Sequence, residues 1–480
     1  MHFISIDFAI FLPIVFILYW FVVGKNLALQ NALIVAASYV FYGWWNWRFL
    51  SLIVFCTLMD YGIGVALQQQ QNIKARKLLL TLSIVVNLGF LAFFKYSNFF
   101  IDSFVTAFTF FGATMSADSL HIKLLPIVGI SFYTFQSLSY TIDVYRKQLT
   151  ATRNPITFAA FVSFFPQLVA GPIERATHLL PQFYVKRQFD YTAATDGMRQ
   201  ILWGLFTKIV IADNCAIYAN QIFNNSAQYS GSTLLLGAFF FSFQIYGDFS
   251  AYSHIAIGTA RLFGFSLMRN FNTPYFSRSM VEFWRRWHIS LSTWFRDYVY
   301  IPLGGNRGTK AKHIRNICIV FLLSGLWHGA DYTFIAWGTL HALFIIPFVW
   351  WASKQKSDAA NTPANISHLG SILLTFTLTT LAWVFFRASS MPHALQYFSE
   401  IFSSSLFTIP QFEGRGAAML TLLLVALFVA AEWHTRHQPH ALAAAGTHWW
   451  RPVRWSLYYI LILSLLYFGA SPQQFIYFQF

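Results

Sequence analysis

The sequence predicts an all-α protein that crosses a membrane many times, and three observations carry that expectation. Of the 480 residues, 56% are hydrophobic and 20% aromatic, while only 10% are charged; an ordinary soluble protein carries roughly 25% charged residues. The mean hydropathy is +0.51. The apolar residues lie in continuous stretches, many close to the roughly 20 that a helix needs to span a bilayer. Together these exclude a soluble globular or disordered chain, and the 54 Phe and 17 Trp argue against a low-complexity filament. An outer-membrane barrel would alternate polar and apolar residues in short segments instead.

In chain order, the candidate spans lie near 7–23, 27–45, 49–67, 78–94, 98–112, 124–142, 156–171, 200–219, 233–263, 316–334, 335–351, 369–387, 417–432 and 455–470. This gives about 11–14 transmembrane or re-entrant helices in a single membrane domain over 1–480. The first run lacks a basic leader and a small-residue cleavage site, so it reads as a retained span. No repeat of 20–50 residues occurs and the halves show no duplication, which disfavours a transporter built from repeated halves. The polar segments 353–368 and 434–454 read as loops. Cys56, Cys215 and Cys318 are scattered among apolar residues and suggest neither a disulfide framework nor a metal signature.

The net charge is +15, from 32 Lys and Arg against 17 Asp and Glu. Basic residues follow the third span (Lys74, Arg76, Lys77) and the sixth (Arg146, Lys147, Arg153). The segment 261–315 holds ten Lys and Arg but only two acids, Glu282 and Asp297, so it supplies +8. The positive-inside bias puts it at the cytoplasmic face, and its many aromatics set it in the interface against membrane lipids. The basic residues all sit in membrane-embedded surroundings, so no nucleic-acid partner is expected.

Two constellations carry chemistry. The first runs from Glu282 to Tyr298. Helical spacing would put Trp284 and His288 on one face with Arg285 close by, and would let Glu282 pair with Arg285 or Arg286. Such an array can offer fixed cations to an acidic donor, or can simply anchor an amphipathic helix in lipid. The turn Pro302–Arg307 breaks it. The second constellation is Ser324–Asp331. The 35 residues from Ile317 to Trp351 have Asp331 as their single formal charge; one straight helix of that length would measure roughly 52 Å, so the run must fold into two elements. Gly325, Gly329 and Gly338 offer breaks. Counted from Ile317, His328 lies roughly 16 Å in, near the midplane. Asp331 at i+3 is placed to orient its ring. An ionisable group at that depth marks a site, or else ties two helices together.

Asp248, Tyr252 and His254, then Gln136, Tyr140 and Asp143, then Gln167, Pro172 and Glu174 also fall at membrane depth and need internal partners. His434, His437 and His440 read as a solvated loop rather than a metal site, because Pro439 interrupts the helix that would align them. No Walker A loop, dinucleotide fingerprint or Gly-x-Ser-x-Gly occurs. The chain ends in an aromatic tail, 471–480. Its Phe475–Phe480 stretch is too short to span, so it packs on the bundle or threads into it.

These motifs resemble the membrane-bound O-acyltransferase (MBOAT) family, in particular its bacterial alginate O-acetylation branch. The resemblance is strongest from Gln244 to Ala330, in DFSAYS, EFWRRWHISLSTWFRDYVYIPLGGNRG and LLSGLWHGA. SFYTFQSLSYTIDVYR, FFPQLVAGPIER and the FIYFQF ending also match, in the expected order. The resemblance implies helices around a central cavity, with a catalytic core at 244–330. It implies transfer of an acyl group from acetyl-CoA or an acyl-carrier thioester, with no bound cofactor or metal. His328 then matches the membrane-embedded histidine and is the candidate general base, with His288 the second characteristic histidine. Trp284, Arg285, Arg286, Trp287, Trp327 and Asp331 are candidate donor-binding or supporting residues. Tyr477 is the candidate acyl relay, by likeness to C-terminal tyrosine motifs of related systems.

The branch also implies a bacterial cytoplasmic-membrane location, a polysaccharide acceptor outside it, and an extracytoplasmic acetyltransferase- or esterase-like partner. The sequence departs from the branch at Ala251, where Gly is usual, and at His254, where Asp or Asn is expected. Transfer of D-alanine or another acyl group to teichoic acid, peptidoglycan or a lipid alcohol is the alternative.

Overall fold

Serine, threonine and asparagine side chains start many of the helices, each by accepting backbone N–H groups that the first turn leaves without partners. Asn26 takes the amides of Ala28 and Leu29, Asn72 that of Lys74, Asn154 those of Ile156 and Thr157, and Thr309 that of Lys312. The computed structural model describes residues 1–112, 116–117, 120–122, 127–351, 365–446, 449–469 and 473–476. No strand occurs among them. Seven of the described helices are long and apolar enough to cross a membrane, so the chain is a multi-pass membrane protein. The chain divides into two compact units, one of residues 1–197 with 259–268, the other of 198–258 with 269–480.

The first unit begins with α1 (Ile6–Ile17), α2 (Leu27–Gly43), α3 (Leu50–Gln69) and α4 (Ile73–Phe110). Helix α4 corrects an expectation: the stretches 78–94 and 98–112 are one helix of 38 residues. The polar KYSN at 95–98 interrupts the hydropathy but contains no Pro or Gly, so nothing stops the backbone ladder. At about 57 Å, α4 is longer than a bilayer core is thick. Next come α5 (Ile130–Tyr145), α6 (Pro155–Ser163) and α7 (Ala176–Leu179). The expected span 156–171 is also corrected, because α6 ends at Ser163 and the chain beyond it, with Pro166, Gly171 and Pro172, stays irregular up to α7.

A buried carboxylate ties three of these helices together. Asp60 on α3 accepts from Ser83 at 2.7 Å, from Asn87 at 2.8 Å and from Ser137 on α5. Gly64, one turn on, admits the Tyr140 ring; a Cβ there would lie 2.5 Å from it. Gln136 donates to the Phe161 carbonyl at 2.6 Å. Glu174 accepts from the Met268 amide and meets His178 at 2.7 Å.

Helix α8 (Tyr191–Phe206) passes through a π-helical turn, Thr207–Ala212, into α9 (Asp213–Asn224). The second unit continues with α10 (Gly231–Leu262) as far as Gly258, then α11 (Met280–Arg286), α12 (Ile289–Phe295), α13 (Lys310–His328) and α14 (Tyr332–Trp351). It ends with α15 (Leu369–Arg387), α16 (Met391–Ile401), α17 (Arg415–Thr435) and α18 (Arg451–Phe468). The sequence did not suggest α16, whose apolar residues are too few and too mixed for a span. Most of the polar segment 353–368 lies outside the described residues.

The fold of 317–351 into two elements is borne out. Helices α13 and α14 form an antiparallel hairpin with its turn at Gly329–Asp331. Gly325 and Gly338 let the backbones close in: a Cβ on Gly325 would sit 2.3 Å from the Phe334 carbonyl oxygen, and one on Gly338 2.3 Å from that of Phe321. Small residues at a crossing give membrane helices the close packing that the hydrophobic effect does not supply there.

Replacing Asp60 with Ala leaves three buried donors without their acceptor. The expected loss is about 1–3 kcal/mol of stability, read as a lower thermal midpoint of the detergent-solubilised chain. An unchanged midpoint would show that the donors find other partners.

Candidate active site

The candidate site is built in the second unit from a turn, a helix end and an aromatic wall. His288 is the turn. It has φ +42° and ψ +53°, a left-handed conformation that costs a non-glycine residue roughly 1–2 kcal/mol. This corrects the helical-face expectation: Trp284 and His288 do not share one face, because the helix ends at Arg286 and restarts at Ile289.

Asn270 over-determines the turn. Its carbonyl accepts the Ile289 amide at 2.8 Å. Its side-chain oxygen takes the Ser290 amide and hydroxyl at 3.3 and 2.9 Å, and its amide donates to Ser253 at 3.1 Å. The Asn272 amide donates to the Arg286 carbonyl at 2.9 Å.

His328 is the last residue of α13. The basic first turns of that helix end at Arg315, and from Asn316 to His328 the helix rises by about 18 Å. The ring centres of His288 and His328 are 6.4 Å apart. Trp327 lies 5.9 Å from His288 and 4.9 Å from His328. Phe249 closes on His288 at 4.5 Å, while Trp337 and Phe386 close on His328 at 5.0 and 5.3 Å. Both histidines are buried. Burial among these rings disfavours a charged imidazole at His288.

Asp331 caps α14 by accepting the Thr333 amide at 2.8 Å. Glu282 resolves its two possible partners: it holds Arg286 at 2.7 Å and also Arg278 at 2.8 Å. Trp287 is packed among Phe283, Phe271 and Trp383, with ring centres at 5.5, 5.1 and 5.0 Å, and so stiffens the wall. Trp284 and Arg285 instead line a cavity of about 540 Å³, together with Ser292, Arg296, His313 and Ser324. Ser324 is one helical turn before His328. The volume is within the range of small-molecule sites; most of the lining is apolar, and its two guanidinium groups, Arg285 and Arg296 (the latter paired with Asp297 at 2.8 Å), suit an anionic end of a ligand. Tyr477 lies outside the described residues.

Sequence reasoning passed over several residues. His341 on α14 is fully buried and accepts from the Trp284 indole N–H at 3.3 Å; it belongs to the apolar run already singled out for Asp331, but an imidazole counted as neutral adds nothing to a tally of formal charge. Lys208, which holds both Asp213 and Asp248, was signalled, as was Asp213, by charges inside the apolar run 200–219. Asn270 gave no signal, being one amide in a polar loop. His254 meets Gln200 at 3.1 Å.

Two buried imidazoles enclosed by aromatic rings, beside a largely apolar cavity that carries two arginines, are equipment for proton transfer to or from a hydroxyl away from water. The chain belongs to the membrane-bound O-acyltransferase family, whose sequence profile matches residues 42–355. It is thus an O-acyltransferase. Among its relatives, the probable alginate O-acetylase AlgI of Azotobacter vinelandii is 42% identical over 88% of this chain and 81% of that protein. The namesake from Pseudomonas putida is 38% identical over 98% of both chains. The peptidoglycan O-acetyltransferase of Helicobacter pylori is 36% identical over 80% of this chain and 76% of its own.

Asn270→Ala removes the clamp on the His288 turn. Transfer from a labelled thioester in membranes is expected to slow by about tenfold or more, with the amount of inserted protein unchanged. An undiminished rate would mean that the turn holds without the carboxamide.

Proposed function

We propose that this protein moves an acetyl group from a cytoplasmic thioester donor, acetyl-CoA or an acylated carrier, across the bacterial cytoplasmic membrane to hydroxyl groups of an extracytoplasmic polysaccharide of the alginate type. The observation that carries the reading is the 6.4 Å between the His288 and His328 rings, inside a wall of aromatic side chains and one helical turn from the cavity that Trp284 and Arg285 line. The alginate O-acetylase relatives, similar over most of the chain, favour this acceptor.

In this reading the cavity takes the donor, with Trp284 along its thioester arm and Arg285 and Arg296 toward its phosphates. The segment 261–315 faces the cytoplasm and the anionic lipid headgroups. The acceptor oxygen attacks the thioester carbonyl carbon while His328 takes its proton. The C–S bond then breaks, the proton passes to sulfur, and the products are an ester and a free thiol. His288, neutral and clamped, helps orient the reacting groups; Arg286, Trp287, Trp327 and Asp331 keep the two histidines in place. The Tyr477 phenol is the first acceptor. An extracytoplasmic acetyltransferase- or esterase-like partner carries the acetyl group from it to the polymer.

The Helicobacter pylori relative favours peptidoglycan as a second acceptor reading. Membranes given labelled acetyl-CoA and fractionated into polysaccharide, peptidoglycan and lipid separate the two.

His328→Ala is expected to lower polymer acetylation by about 10²–10⁴-fold in a normally inserted protein; retained acetylation would be fatal to the base assignment. Tyr477→Phe is expected to abolish labelling of the polymer while the donor still binds, as measured by protection of the cavity from cysteine-directed reagents at a Ser324→Cys variant. Undiminished polymer labelling would remove the relay.

A further inference from the structure

The second unit contains a buried ion cluster that the proposed chemistry does not use. Lys208 lies on the π-helical turn, Asp213 begins α9, and Asp248 sits midway along α10. Their side chains are 6%, 6% and 2% exposed. The Lys208 ammonium donates to Asp213 Oδ1 and to Asp248 Oδ1, each at 2.6 Å. Gly247 allows this approach: a Cβ there would lie 3.0 Å from that of Ala212.

An ammonium has three N–H donors, and the third goes to the carbonyl oxygen of Gln473 at 3.1 Å, 265 residues away in sequence. The other oxygen of Asp248, Oδ2, accepts the Ile476 amide at 3.1 Å. One carbonyl and one amide three residues apart are thus read by a cation and an anion that hold each other. Ile476 is fully buried, and the Phe475 ring lies 5.1 Å from that of Tyr252. A simple ion pair between helices would need one carboxylate and no tail. Here a cation carries two carboxylates, and the backbone of the chain end completes the hydrogen bonding of both Lys208 and Asp248. Withdrawing that backbone would leave a buried charged donor and a buried charged acceptor each short of a partner, which is costly.

We infer that the Lys208–Asp213–Asp248 cluster is a docking site for the backbone of residues 473–476, and that it fixes the register of the chain end for acyl transfer. Lys208, Asp213 and Asp248 are positioning residues; their role in transfer rests on the acyltransferase reading above.

The test uses the full-length chain in mild detergent and in membranes. Lys208→Met removes the cation, and Lys208→Arg restores it. Ile476→Pro removes the tail's N–H donor and leaves the ion cluster untouched, so it serves even if Lys208→Met fails to fold. Release of Phe480 by carboxypeptidase reads docking; kcat and donor KM for polymer acetylation read its consequence. Ile476→Pro is expected to speed carboxypeptidase release and to lower kcat, each by about tenfold, the factor for one lost hydrogen bond to a buried charged group. Donor KM should not change, and Lys208→Arg should recover most of what Lys208→Met loses.

A chain end as protected in Ile476→Pro as in the parent would overturn the docking site. Faster release with unchanged kcat would overturn its role in transfer. A Tyr477→Phe protein that still acetylates polymer, beside an Ile476→Pro protein that does not, would sink the relay and leave the docking site standing.

Discussion

The Asn270 side chain holds the candidate site together, because one carboxamide and its backbone satisfy four groups that a left-handed turn would otherwise leave open. A histidine with positive φ is held only where its surroundings over-determine it. The Ile289 and Ser290 amides, the Ser290 hydroxyl and the Ser253 hydroxyl all converge on Asn270. The strain of the turn therefore buys a direction for the ring: His288 leaves the helical path of α11 and faces His328 across Trp327. Without the turn, α11 and α12 would be one continuous helix and the two imidazoles would lie on unrelated faces.

Backbone proximity does the complementary work at His328. The hairpin of α13 and α14 closes through Gly325 and Gly338, and that closeness packs Trp337 against the ring of His328. Phe249, Trp327, Trp337 and Phe386 then surround the two imidazoles. These surroundings leave little room for water beside the two buried imidazoles. The neighbouring cavity, lined by Trp284, Arg285 and Ser324 among others, lies one helical turn from His328.

The sequence carried the fold class because membrane helices advertise themselves: nearly every span was legible from hydropathy and length. Its errors have local causes. The KYSN stretch in α4 looked like a break, yet only Pro or Gly chemistry would have broken the helix. Conversely, the region after Ser163 looked like a span, yet its prolines and Gly171 had already ended the helix. His288 and His328 were legible as ionisable residues in distinctive surroundings. Their arrangement was not, because a positive φ at a histidine is imposed by contacts about twenty residues away and leaves no mark on helical periodicity. Lys208 and Asp213 could have been found by asking why a hydrophobic stretch contains charges; His341 hid because an imidazole is left out of the charge count.

The wall around His328 draws on Trp383 and Phe386 of α15, at ring-centre distances of 5.7 Å between Trp383 and Trp337 and 5.3 Å between Phe386 and His328. Both residues lie beyond the end of the family profile's match at residue 355. Chains emerge from the ribosome N-terminus first, so during synthesis both histidines and the hairpin enter the membrane before the last side of their enclosure exists. A nascent chain that has inserted α14 but not α15 holds its two imidazoles without that cover. The two imidazoles therefore gain the α15 side of their enclosure only late in synthesis.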